Sequence, residues 1–220
     1  MKGLNEKIGL AAAGVLAGTV AVFFITLLLT LAGVGGKTVS LISYLDCILL
    51  SWAYVTTTAC LTQGCPPEGR GAAEAARLFA VLYAMFVNLV YFTQATAVWY
   101  EMFPENLRVL FDFQVVGGWL FRLDIIGYGI MAVSTFFLGL SIAPAEKESR
   151  GLRRLLLFHG LFASCAGIAL LPIFHDTGEV SNAGILALLA WCAYFFPTAL
   201  LLCKRFRRQA PLDRAGGERV

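Results

Sequence analysis

Six apolar stretches constrain this chain more than any other feature: residues 8–34, 41–61, 78–100, 123–143, 155–174 and 183–203 carry almost no charge. A helix rises ~1.5 Å per residue, so ~20 apolar residues cross the hydrocarbon layer of a bilayer. A soluble core of this chain length cannot hide six such segments. Soluble chains are roughly half apolar and about a quarter charged, whereas this one is 59% hydrophobic and 14% charged. The runs are continuous rather than alternating, which argues against the strands of a membrane β-barrel. The predicted fold class is therefore all-α, a polytopic membrane helical bundle of six transmembrane helices. The first stretch is far longer than the core of a secretory signal and has no convincing small-residue cleavage site after it, so it is read as a span.

Orientation follows from the basic residues. With the amino terminus inside, the cytoplasmic segments carry Lys2, Lys7, Arg70, Arg77, Lys147, Arg150, Arg153, Arg154, Lys204, Arg205, Arg207, Arg208, Arg214 and Arg219, against Lys37, Arg108 and Arg122 outside. That is 14 of the 17 lysines and arginines on one side. The positive-inside rule then predicts six spans in a cell membrane with both termini cytoplasmic. Residues 1–204 form the transmembrane domain, and 205–220 read as a basic, disordered cytoplasmic tail that anchors the topology or meets anionic headgroups.

The longest connection, 101–122, lies on the outer side between the third and fourth spans. Pro104 and Glu105 suit a helix start, and Leu107, Leu110, Phe111 and Val115 recur at helical spacing. Glu105, Arg108 and Asp112 can pair on the opposite side. A short amphipathic interfacial helix is expected here, serving as a plain cap or as a lid, with Trp99, Tyr100 and Trp119 at the aromatic belt.

Polar residues within spans are the candidate site, because an ionisable group in hydrocarbon costs at least ~2.5 kcal/mol and usually faces protein or water. Asp46 lies ~8 Å inside the second span, with Tyr54 and Thr57 or Thr58 continuing its face. Asp124 opens the fourth span, followed by Tyr128, Met131 and Thr135. Asn88, Tyr91 and Gln94 advance by threes on the third, and Arg122 stands near the outer mouth. The expected ligand-binding set is Asp46, Asn88, Tyr91, Gln94, Arg122, Asp124 and Tyr128, converging on a polar cavity that opens outward. The opposing reading makes the same residues interhelical hydrogen-bond links.

Other residues point to structure. Cys47, Cys165, Cys192 and Cys203 sit in apolar runs, where cysteine acts as a small hydrophobe. Cys60 and Cys65 flank a cytoplasmic loop, where a disulfide is disfavoured. His159 and His175 lie ~24 Å apart along one helix and cannot share a metal ion. His159 reads as a hydrogen-bonded structural residue, and His175 with Asp176 as an outer surface turn. Gly14 and Gly18, and Gly160, Ser164 and Gly167, permit close helix approach. No nucleotide-binding, zinc-binding or serine-hydrolase motif is present, so no metal and no cofactor is expected. The expected partners are membrane lipids and a small-molecule or lipid ligand, with no nucleic acid, and the sequence leaves the oligomeric state open. Three functions fit: a protein that binds or transports a small molecule or lipid, a membrane enzyme using Asp46 and Asp124 as an acid/base pair on a lipid-like substrate, or a subunit or assembly factor of a membrane complex. The sequence does not choose between enzyme and non-enzyme.

Overall fold

A computed structural model describes residues 3–115, 117–143, 149–164, 167 and 182–209, and every regular element among them is helical. The long helices are α1 (Leu4–Leu31), α2 (Gly36–Thr62), α3 (Arg70–Thr93), α5 (Trp119–Ser141) and α7 (Asn182–Gln209), with α4 (Arg108–Phe111) and α6 (Arg150–His159) shorter. Five stretches are long and apolar enough to cross a membrane, from α1, α2, the α3 region, α5 and α7. The stretch read as the fifth span begins as α6 and a 3-10 turn, Gly160–Ala163. Most of its remainder lies outside the described residues, as do His175 and Asp176.

The exterior differs from that of a soluble protein. On α3, Leu78, Val81, Met85, Leu89 and Phe92 are each more than half exposed, and α1 and α2 present Ile25, Leu45 and Trp52 in the same way. Soluble monomers rarely expose contiguous apolar bands of this kind. The buried side chains include Thr19, Asp46, Ser51, Thr57, Gln94, Asp124, Ser134 and Thr135. An apolar exterior around a polar-studded interior is what a lipid solvent selects, and the chain is a multi-pass integral membrane protein.

The helices close into a ring. α1 packs against α2 and α7, α2 against α3, α3 against α5, α5 against α6, and α6 against α7. Neighbours alternate in direction. Asn5 Nδ2 donates to the Cys60 carbonyl at 3.1 Å, joining the start of α1 to the end of α2. Gly9 lies against the Phe206 ring, Gly69 against Ser141, and Arg205 bonds the Ser149 hydroxyl. The start of α1, the end of α2, the start of α3, the end of α5, the start of α6 and the end of α7 therefore share one end of the bundle. That end holds Lys7, Arg70, Arg77, Arg150, Arg153, Arg154, Lys204, Arg205, Arg207 and Arg208, while Lys37, Arg108 and Arg122 lie at the other.

Two boundaries differ from expectation. α2 starts at Gly36, five residues before the apolar run, which places Asp46 ~15 Å below the helix start rather than ~8 Å. The expected tail boundary after Lys204 also moves. α7 continues through Gln209, because Phe206 is buried against Gly9. Residues 210–220 lie outside the described set.

Close approach at one glycine seals the α5–α6 seam. A Cβ at Gly139 would stand 3.0 Å from the Leu157 backbone nitrogen and 3.1 Å from Leu156 Cβ. Gly139→Val is expected to destabilise the bundle by ~1–3 kcal/mol through overpacking, read as a lowered Tm in detergent. Gly14→Ala, where nothing lies within 4 Å, should leave Tm unchanged or raise it.

Candidate functional site

A ring of six helices leaves an axis that only long side chains reach. Trp191 and Phe195 of α7 stack at 5.0 Å, and Trp191 meets the Tyr128 ring of α5 at 5.6 Å. Phe195 approaches Tyr54 of α2 at 6.4 Å, and Tyr54 meets Tyr83 of α3 edge-on at 5.5 Å. Their polar tips are paired where the bundle is best packed. Tyr54 donates to Ser134 Oγ at 2.8 Å, and Ser134 passes its own proton to the Ala76 carbonyl at 2.7 Å.

His159 joins three helices in the same core. Trp191 Nε1 donates to its Nε2 at 3.0 Å, and its Nδ1 lies 2.6 Å from Thr135 Oγ1. An indole N–H can only donate, so Nε2 accepts and the proton of the neutral ring sits on Nδ1. Thr135 accepts that proton and sends its hydroxyl hydrogen to the Ala132 carbonyl at 2.8 Å. His159 is thus a hydrogen-bonded structural link.

Higher in the bundle the polar groups are incompletely paired. Tyr91 donates to Asp124 Oδ2 at 3.4 Å, while Asp124 Oδ1 is buried with no hydrogen-bond partner among the described residues. Asp46 Oδ2 and the Tyr83 hydroxyl are in the same condition. Cys47 is within electrostatic reach of all three. Its thiol is 3.9 Å from the Tyr128 hydroxyl, within hydrogen-bonding reach of Tyr91, and within electrostatic reach of both Asp46 and Asp124. Asp46 in turn acts on Cys192 of α7.

Segment 101–118 covers this cluster. Phe113 inserts between Tyr44 and Tyr91, at 5.7 and 5.6 Å from their rings. Gln114 Nε2 donates to the Tyr44 hydroxyl at 2.9 Å. Asp112 is buried, accepts from Arg108 Nη2 at 2.9 Å and from the Gln114 N–H at 2.9 Å, and so folds the segment on itself. The Lys37 ammonium pairs with Glu101 at 2.7 Å and holds its carboxyl below the usual carboxylate range. Helical structure in the segment is shorter than expected, a 3-10 turn Glu105–Leu107 and the single turn α4. Gly117, in the left-handed region at φ 84°, breaks the run. Gly118 comes so close that a Cβ would lie 2.5 Å from the Val109 carbonyl oxygen.

The seven residues expected to converge divide by geometry. Tyr91, Asp124 and Tyr128 lie together around Cys47, and Asp46 is within electrostatic reach of the same thiol. Asn88 does not join them. Its amide donates to Ser51 Oγ at 3.0 Å and to the Ala84 carbonyl at 2.6 Å, and its Oδ1 accepts from Trp52 Nε1 at 3.0 Å, an α2–α3 link. Gln94, at the start of a π-helical turn Gln94–Val98, bonds the covering segment instead. It donates to the Phe111 carbonyl at 2.6 Å and accepts from the Phe113 N–H at 3.4 Å. Steps of three residues turn a helix ~300°, so Asn88 and Gln94 sit ~120° apart and cannot share a face. Arg122 bonds its own loop, donating from Nε to the Gly117 carbonyl at 3.0 Å. Tyr54 was aligned with Asp46 in the sequence reading, yet seven residues place it on the face of Cys47.

Sequence reasoning missed Tyr44, Cys47, Tyr83, Phe113 and Gln114. The spacing Tyr44, Cys47, Ser51, Tyr54 marks one helical face and was the available signal. Two cavities, of about 760 and 490 Å³, lie elsewhere and include none of the seven. Among the described residues no group of three His, Cys, Asp or Glu side chains is placed to hold a metal ion.

The chain was compared with protein-family models, curated proteins and solved structures. Nothing matched in any of the three. The site therefore has to be read from its own chemistry.

Gln94→Leu would leave two backbone groups of the covering segment without their partner. A loss of ~1–3 kcal/mol is expected, together with faster proteolysis within 101–118. An unchanged cleavage rate would show that Gln94 does not hold the segment down.

Proposed function

We propose that this integral membrane protein binds or transports a small polar molecule at the Asp46–Cys47–Asp124 centre, reached from the end covered by residues 101–118. One observation carries the reading: two buried carboxylates, both within electrostatic reach of Cys47, each keep an oxygen without a hydrogen-bond partner among the described residues. Buried polar groups are nearly always paired, and intramembrane acids mark functional sites by default. A ligand bearing N–H or O–H donors, or a cation, would complete both oxygens. The aromatic cover of Phe113 on Tyr44 and Tyr91 supports a lid that must shift for entry, since the cluster is closed.

The orientation belongs to the same proposal. The basic end of the bundle, where the start of α1 and the end of α7 meet, would face the cytoplasm of a cell membrane by the positive-inside rule. The binding centre then opens outward, and α6 with its continuation would supply a sixth crossing. The enzyme reading has less support. It needs an electrophile stabiliser beside the two carboxylates, and Arg122, the candidate for that part, donates to the Gly117 carbonyl of its own loop. A subunit role gains one observation, the open space beside Gly14 and Gly18 on α1, which leaves room for a neighbouring helix.

The test is a thermal-shift screen of the purified protein against small amines, quaternary ammonium ions and polyols. A stabilising compound should lose its effect in Asp124→Asn and Asp46→Asn while both variants still insert into membranes. If both variants respond to that compound as the wild type does, the two carboxylates are not its site.

A further inference from the structure

The larger cavity lies at the basic end, away from the Asp46–Asp124 centre and independent of it. It is a groove of about 760 Å³ lined by Gly151, Arg154, Leu155, Leu157, Phe158 and Leu161, with Leu201 of α7 on its far side. Phe158 and Leu161 are each more than half exposed. Along its length the chemistry changes in one direction. Arg154 stands one turn into α6, and everything deeper is apolar.

We propose that this groove binds one anionic glycerophospholipid from the leaflet at the basic end. Its phosphate pairs with Arg154, and an acyl chain lies along Leu155, Phe158, Leu161 and Leu201. Three observations support this occupant. First, Gly151 to Leu161 spans ~15 Å of helix rise, half the ~30 Å hydrocarbon thickness and so the depth of one leaflet. Second, the charge is complementary. Arg150 and Arg153 share the first turns of α6 with Arg154, and Arg205 bonds Ser149 at the same level, bringing Lys204, Arg207 and Arg208 of α7 alongside. No salt bridge among the described residues neutralises Arg154. Third, an arginine one turn below the helix start can extend its stem along the groove and keep its guanidinium at the interface. There it forms a two-pronged bond to a phosphate, which a zwitterionic lipid's own ammonium would oppose.

The experiment reconstitutes the full chain in nanodiscs holding equal amounts of phosphatidylglycerol and phosphatidylcholine, then measures retained lipid by native mass spectrometry after mild detergent release. The wild type should keep one phosphatidylglycerol in preference to phosphatidylcholine. Arg154→Gln should lower that retention about fivefold, the equivalent of ~1 kcal/mol for one cation at the membrane surface. Leu201→Trp, which fills the groove and leaves every charge in place, should lower retention as well. Equal retention of the two lipids by the wild type would overturn the proposal. So would full phosphatidylglycerol retention by Arg154→Gln, or displacement of the lipid by millimolar inorganic phosphate, which would mark a bare anion site. The wild-type comparison stands even if a variant fails to fold.

Discussion

The whole structure depends on filling the axis of a six-membered helix ring in a solvent that offers no hydrogen bonds. Neighbouring helices in a ring touch along their seams, and side chains from non-adjacent helices meet only by reaching across the axis. Tyr54, Tyr83, Tyr128, Trp191 and Phe195 close that distance. Most of these rings carry a polar tip, and an unpaired tip in hydrocarbon costs as much as the ring contributes. Toward the basic end several of these groups are paired, although the buried Thr57 and Thr58 hydroxyls are not. Ser134 takes the Tyr54 proton, and His159 locks α5, α6 and α7 together by accepting from Trp191 and donating to Thr135. The donor-only indole fixes the imidazole tautomer, so this link has a single arrangement.

The two buried acids lie toward the other end. Asp46 and Asp124 each bury an unpartnered oxygen, about two to three helical turns from the paired Tyr54 and Ser134, as does Tyr83 beside Tyr54. A chain able to pair Tyr54, Ser134, His159 and Trp191 could have filled these positions with leucine. Two acids there oppose stability as long as those oxygens stay unpaired. The covering segment has little regular structure of its own, and its order comes from Asp112 binding Arg108 and from Gln94 binding the backbone around Phe113.

The helical class, five of the spans and the crowding of cations at one end were legible in the sequence, because hydropathy and charge placement act over whole segments. The site was legible only where periodicity is reliable. Asp124 and Tyr128 differ by four residues and do share a face. Asn88 and Gln94 differ by six, and the ~60° lag per three-residue step carried them onto different neighbours. Depth was misjudged for a related reason. The apolar run starts at Leu41, but the helix starts at Gly36, and hydropathy cannot see helical turns made of Gly, Lys, Thr and Ser. Phe113 and Gln114 were invisible because their role comes from tertiary docking of a segment whose local pattern resembles an ordinary amphipathic turn.

The cover and the centre are linked through one side chain. Tyr91 donates to Asp124 below while its ring packs on Tyr44 and Phe113 above. Withdrawing Phe113 would remove a packing wall from Tyr91, so the position of Phe113 and the surroundings of Asp124 are coupled through that one side chain. A ligand that completes Asp124 would, by the same contacts, favour the tyrosine position on which Phe113 rests. If the proposed binding holds, it would then reseal the site locally, leaving the His159 link between α5, α6 and α7 in place.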